Sequence, residues 1–194
     1  MITRAVKDDR QRWDDRYRDA DFELPADPSP VLVEHVGDFP SGRALDVATG
    51  TGRNALFLAE GGFAVDAIDV SRVALDEARQ RAHERSLSAN WIQTDFDAHC
   101  FPPNRYAVVA VALFDARDRL DDLKDALRPG GVLVYDHHLR TPGPYDHGPS
   151  DRYRFAPGEL RAACEDMTIL HYAERPGERA DGERATVELV ARKE

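Results

Sequence analysis

The sequence predicts an α/β fold: a Rossmann-like, seven-stranded, mostly parallel sheet with helices on both faces and a C-terminal antiparallel hairpin. Three observations predict it. Short apolar runs alternate with helix-forming stretches along most of the 194 residues, and repeated βα units need a parallel sheet covered on both faces. Two glycines, Gly50 and Gly52, separate the first strand-like run from the first helix-like run, where an open α/β sheet turns back toward a ligand. The last two strand-like runs have no helix between them, so they can pair only as a hairpin.

In chain order, a charged helix is expected over about 7–19, followed by a Pro-rich stretch at 25–30. Residues 43–48 (RALDVA) read as a short buried strand. Residues 53–61 read as a helix with Ala55, Leu56, Leu58 and Ala59 on its apolar side and Gly61-Gly62 as its stop. Residues 64–69 form the second strand. Ser71 then caps a helix of good helix formers that runs to about Arg85. Residues 89–93 and 105–113 (RYAVVAVAL) are strands three and four. A helix over 117–127 stops at Arg128-Pro129-Gly130-Gly131, and 132–137 (VLVYDH) is strand five. Residues 141–150 (TPGPYDHGPS) compose a loop. Residues 157–165 suit a helix with Pro157 in its first turn, and strands at 168–173 and 185–191 finish the chain.

One domain is expected over 1–194. Its parts are an N-terminal helical lid (1–38), a ligand-binding core (39–140) and a far part (141–194) of loop, helix and hairpin. A chain of this length, 42% hydrophobic, buries a core without disulfide or metal staples. The net charge of −10 repels phosphate backbones and anionic membrane faces, so neither nucleic acid nor membrane is expected as a partner. Lysine stands only at Lys7, Lys124 and Lys193; high-salt adaptation and a GC-rich coding bias both produce such a surface. Cys100 and Cys164 have no zinc-ligand or redox spacing. The N-terminus lacks an apolar signal core, and the longest apolar run, 107–114, is too short to span a bilayer. A cytoplasmic location, as a monomer or homodimer, is the expectation.

The chemistry concentrates in residues 45–54 (LDVATGTGRN). Gly50 and Gly52 permit a tight turn and close approach of backbone to ligand. Seventeen residues beyond Gly52, at the end of strand two, Asp69 stands where an open α/β fold puts the acid that binds ribose hydroxyls. An adenosine-containing ligand follows. The position three beyond Gly52 is Ala55, which the dinucleotide fingerprint tolerates, but Asp46 lies four residues before Gly50. A carboxylate there repels a pyrophosphate and attracts the amino group and sulfonium of S-adenosylmethionine (SAM), so charge favours SAM over NAD.

This stretch resembles the first motif of the class I SAM-dependent methyltransferases. Asp69 is similar to that family's ribose acid, Thr94-Asp95-Phe96 to its adenine-side motif, and Leu127-Arg128-Pro129-Gly130-Gly131 to the turn before its fifth strand. Within the family, Gly52-Arg53-Asn54-Ala55-Leu56-Phe57-Leu58-Ala59, the segment 153–161 (YRFAPGELR) and the end 189–193 (LVARK) resemble the tellurite-resistance (TehB-like) branch. Ala48 stands where many relatives carry Gly. The resemblance implies a small-molecule acceptor: a thiol, a chalcogen oxyanion or another small nucleophile.

The cofactor-binding candidates are Trp13, Arg16, Tyr17, Asp46, Ala48, Gly50, Gly52, Asn54, Asp69, Val70, Asp95, Phe96 and Phe114. Asp46 pairs with the methionyl end of SAM or caps its own turn. Asp95 and Phe96 contact adenine or merely start a loop, and Phe114 packs on the cofactor or fills the core. Trp13, Arg16 and Tyr17 share one helix face, as a lid with Arg16 near the SAM carboxylate or as plain core anchors; the W-x-x-R-Y pattern resembles N-terminal lids in related enzymes. The acceptor-side candidates are His137, His138 and Tyr145 for proton transfer, with Arg152, Tyr153 and Arg179 for binding; for Arg179 and Arg184 simple solvation is the competing role. A metal held by His137, His138, Asp146 and His147 is disfavoured, because adjacent strand residues point opposite ways. Two functions from different classes remain: in-line methyl transfer from SAM to a small acceptor, and a non-catalytic SAM-binding sensor or partner module. A nicotinamide dehydrogenase is the third.

Overall fold

The computed structural model describes residues 4–22, 25–141, 149–175 and 185–194. Seven strands, β1 (Arg43–Val47), β2 (Ala64–Asp69), β3 (Asn90–Gln93), β4 (Tyr106–Ala112), β5 (Leu127–His138), β6 (Thr168–Arg175) and β7 (Thr186–Arg192), form one sheet in the order β3-β2-β1-β4-β5-β7-β6. The first five are parallel. β7 runs antiparallel between β5 and β6, which makes the last two strands the expected hairpin. Strand order reverses between β1 and β4, and open sheets of this kind bind ligands at such a reversal.

Six helices are described: α1 (Arg4–Arg18), α2 (Pro30–His35), α3 (Arg53–Glu60), α4 (Arg72–Glu84), α5 (Leu120–Ala126) and α6 (Glu159–Ala162). The core lies on both sides of the sheet. On one face Leu45, Val109, Val111, Leu133 and Tyr135 pack with Leu120, Leu123 and Leu160 of α5 and α6. On the other, Ala44, Ala67, Val108, Ala110 and Val134 pack with Val31, Leu32, Ala55 and Leu58 of α2 and α3. Neighbours in β4 thus alternate between two buried faces, as central parallel strands do.

Four local expectations are revised. The Pro-rich stretch leads directly into α2, whose first residue is Pro30, and Val31 and Leu32 are fully buried; a helix this short depends on packing rather than propensity. The helix expected at 157–165 narrows to α6, because Gly158 enters it in a left-handed conformation (φ 75°) and leaves Pro157 outside. The first turn of the helix expected at 117–127 is a 3-10 turn, Arg117–Arg119. β5 begins at Leu127 rather than 132, since pairing with β4 continues across the Arg128–Gly131 turn through an irregularity between Tyr106 and Val108. Among the described residues no helix is long and apolar enough to cross a membrane.

Candidate functional site

The carboxyl ends of β1 and β4 flank the reversal. Past β1, Ala48 (φ 51°), Gly50 (φ 56°) and Gly52 (φ 85°) all take left-handed backbone. A Cβ on Gly52 would stand 2.9 Å from the Trp91 ring and 3.0 Å from Ala78 Cβ, so this position admits no side chain. Past β4, Leu113 is also left-handed (φ 55°). Two non-glycine residues in this costly region thus sit on opposite lips of one crevice, where strain is commonly stored at functional sites.

Buried acids surround the glycine turn. Asp46 is 1% exposed; its Oδ2 accepts hydrogen bonds from the Thr49 hydroxyl and from Ala55 N at 3.1 Å. Asp46 therefore does cap its turn. Burial pushes its carboxyl up to about 6, against the Thr49 bond and the Arg53 charge. At the end of β2, Asp69 accepts from Gly50 N and Ser71 N, both at 2.8 Å. Burial lifts its carboxyl too, against those N–H bonds, and the charge of Asp14 adds to the rise. Among the described residues neither Asp46 nor Asp69 forms an ion pair. A carboxylate accepts about four hydrogen bonds, so both keep acceptor capacity.

Over this edge lies α1. The Trp13 and Tyr17 rings lie tilted against each other at 6.1 Å, and Tyr17 meets Phe22 edge-on at 5.5 Å. Burial raises the Tyr17 phenol, and so does the Asp69 charge. Arg16 faces outward, with its guanidinium over the Phe22 ring at 4.4 Å and the Trp13 ring at 5.4 Å. The three residues thus share one cluster with Phe22, the two aromatics half-buried and the arginine in solvent.

On the adenine side, Asp95 accepts from Asp97 N at 3.0 Å, a turn-forming bond. Phe96 meets Phe114 edge-on at 5.0 Å and Phe101 at 5.5 Å, and Arg119 covers Phe96 and Phe101 from outside. The Val70 carbonyl accepts from Gln93 Nε2 at 3.2 Å. Asn54 is engaged elsewhere: its Oδ1 accepts from Ser29 N at 2.8 Å.

His137 and His138 leave β5 on opposite faces. His137 is 2% exposed, and neither ring nitrogen has a hydrogen-bond partner among the described residues. The Tyr153 carbonyl and the Asp115 charge favour its protonation, but burial outweighs both and lowers its pKa to about 4. Phe155 packs edge-on against it at 5.6 Å. Arg117 binds Asp115 (2.7 Å), Glu159 (2.9 Å) and the Arg152 carbonyl (2.6 Å), which ties the segment after β4 to the segment before α6. Arg152 and Tyr153 are exposed and bonded to each other at 2.7 Å. Tyr145, Asp146, His147, Arg179 and Arg184 lie outside the described residues. No group of three or more His, Cys, Asp or Glu among the described residues stands close enough to hold a metal.

The sequence reading missed a network on the α2–α3 face. Asp136 Oδ2 accepts from Ser29 Oγ at 2.6 Å, and Arg53 donates to the Asp27 carbonyl at 2.8 Å. It also missed Asp14 of α1, which accepts from Ser71 Oγ at 2.7 Å and Val73 N at 3.2 Å. The Ser-Pro pair at 29–30, a helix-start signal, was the one hint available for the former.

Comparison with known proteins agrees with this fold. A methyltransferase-domain family matches residues 44–131. Glycine N-methyltransferase of Oryctolagus cuniculus is 34% identical over 128 residues, 54% of this chain and 42% of that protein. Glycine/sarcosine N-methyltransferase of Halorhodospira halochloris is 32% identical over 156 residues, 73% of this chain and 53% of that protein. The chain spans about half the length of these curated relatives. TehB from Haemophilus influenzae superposes with a TM-score of 0.68 at 19% identity, covering 95% of this chain and 67% of that one.

The domain match over 44–131 is to a methyltransferase domain, and the fold is that of the class I SAM-dependent methyltransferases. Within that class the chain resembles TehB in architecture. SAM is the cofactor of the class, and the residues fit it. Two buried carboxylates, without ion pairs among the described residues and each raised by burial, suit a cationic nucleoside and oppose a pyrophosphate.

Proposed function

We propose that this chain transfers the methyl group of SAM to a small-molecule acceptor by in-line displacement. The observation that carries the reading is the placement of Asp46 and Asp69, buried and without ion pairs among the described residues, at the carboxyl ends of adjacent strands beside the Gly50–Gly52 turn. Bound there, SAM would supply a methyl already activated on a cationic sulfur, so the protein's task is alignment and exclusion of water, worth up to about 7–11 kcal/mol.

Asp46 would hold the cationic methionyl end and Asp69 the ribose hydroxyls. Phe96 and Phe114, with Asp95, would border the adenine, and Trp13 and Tyr17 would close over the nucleoside. Ala48, Gly50, Gly52 and Val70 would shape the walls. The lid (1–38) and core (39–140) would then form the cofactor side, and residues 141–194 with the end of β5 the acceptor side. There His137 offers a neutral imidazole, its ring nitrogens without a hydrogen-bond partner among the described residues, to take a proton from an amine acceptor; a soft thiolate or chalcogen oxyanion needs none. The names of the two relatives, glycine and glycine/sarcosine N-methyltransferase, favour a small amine.

The test is a turnover screen that follows S-adenosylhomocysteine release with glycine, sarcosine, other small amines, thiols, chalcogen oxyanions and hydroxyl compounds. Acceptor-dependent release is expected with at least one amine. Tight nucleoside binding without acceptor-dependent release in any class would establish the non-catalytic alternative instead.

A further inference from the structure

The lid helix is joined to the cofactor edge by a hydrogen-bonded chain of buried groups. Asp14 Oδ1 of α1 accepts from Ser71 Oγ (2.7 Å) and from Val73 N (3.2 Å). Ser71 N donates to Asp69 Oδ1, and Asp69 Oδ2 accepts from Gly50 N, each at 2.8 Å. Ser71 is fully buried and Asp14 is 8% exposed. Ser71 also performs the ordinary cap of α4, accepting from Ala74 N at 3.2 Å. A lid carboxylate therefore takes a first-turn donor of a 13-residue helix and shares its capping serine with the ribose acid.

The charges facing Asp14 are Arg10, 4.0 Å away on its own helix, Arg18 one turn on, and Asp69 across Ser71. The two acids are joined through one residue, Ser71, whose hydroxyl donates to Asp14 and whose N–H donates to Asp69, so movement of α1 is coupled to the cofactor edge. Tyr17, one turn from Asp14 on the same helix, is within electrostatic reach of Asp69. Docked through Ser71, α1 thus borders the position assigned to the nucleoside.

Resting on the SAM reading, we propose that Asp14 is a positioning residue that latches the lid helix shut and sets the rate at which nucleoside leaves. Asp14→Ala frees α1 while Asp46, Asp69 and the glycine turn remain. Asp14→Asn keeps an oxygen for the Ser71 hydroxyl.

The experiment measures S-adenosylhomocysteine binding by stopped-flow, using the emission of Trp13, which neighbours the latch, in full-length wild type, D14A and D14N. A Trp91→Phe background removes the other tryptophan. D14A is expected to raise the dissociation rate and Kd about tenfold, the size of a lost helix cap. D14N should stay within about threefold of wild type. In turnover, KM for SAM should rise in D14A while kcat stays within about twofold. Should D14A release nucleoside at the wild-type rate, or bind it more tightly, the latch is refuted while the SAM reading stands. Should wild type itself bind none, the SAM reading falls and takes the latch with it. If D14A unfolds, Ser71→Ala and D14N serve: the latch requires faster release in S71A than in D14N.

Discussion

The affinity for S-adenosylhomocysteine should fall as the medium is acidified, because Asp46 must be ionised to meet a cation. Burial lifts that carboxyl from an ordinary 3.8 to about 6. Near pH 7.5 the free protein holds it almost fully ionised; near pH 5 only about one tenth remains so. A ligand whose amino group stays positive would bind the ionised form, so its affinity should drop about tenfold, about 1.4 kcal/mol. The groups that also bear on the site are Arg53, the Thr49 hydroxyl, Ala55 N and Asp69. Asp69 is raised as well, so the measurement is repeated in an Asp69→Asn background. Calorimetry in two buffers of different ionisation enthalpy would show proton release on binding near pH 6. Asp46→Asn should bind weakly and without this slope. The sign for folding runs the other way. The native carboxyl takes up a proton between 3.8 and about 6, so without ligand it destabilises the fold as pH rises through that window, by up to about 3 kcal/mol. A flat affinity profile in the wild type, or the same slope in Asp46→Asn, would refute the assignment.

Gly52→Ala places a Cβ 2.9 Å from the Trp91 ring at a left-handed backbone position; a loss of about 2 kcal/mol or more is expected, read as a Tm about 4–8 °C lower with altered Trp91 emission. Ala48→Gly relieves a left-handed alanine (φ 51°), and after the entropic cost of glycine should stabilise by about 0.5 kcal/mol in denaturant titration. His137→Phe fills the niche beside Tyr135 and Phe155 with another apolar ring. Stability and nucleoside affinity should hold, while kcat with an amine acceptor drops about 100-fold. Because burial keeps that imidazole neutral above about 4, the wild-type rate profile should show no limb from it between about pH 5 and 8.

Most of the architecture was legible because it is local. β2 occupies 64–69 as read from its apolar run, and Ser71 caps α4 as its position before that helix suggested. The hairpin follows from the missing helix before β7. α2 was invisible because six residues behind a Pro-rich stretch carry no helical period; burial of Val31 and Leu32 decides the matter. The glycine turn, Asp46 and Asp69 announced themselves by spacing. Asp14, Ser29 and Asp136 did not, since their partners stand 57 and 107 positions away and exist only once the sheet has closed. Periodicity groups Trp13, Arg16 and Tyr17, and aromatic neighbours such as Phe22 then decide how far each is covered.

The reversal between β1 and β4 also divides labour. β1 to β3 bring the acids of the glycine turn to one lip, while β4, β5 and the hairpin bring His137 and its surroundings to the other, and main-chain pairing joins the halves along the β1–β4 seam. Under the proposed function, donor recognition and acceptor preference are separable inheritances: a lineage can retool the second half for a new nucleophile without relearning how to grip the methyl source.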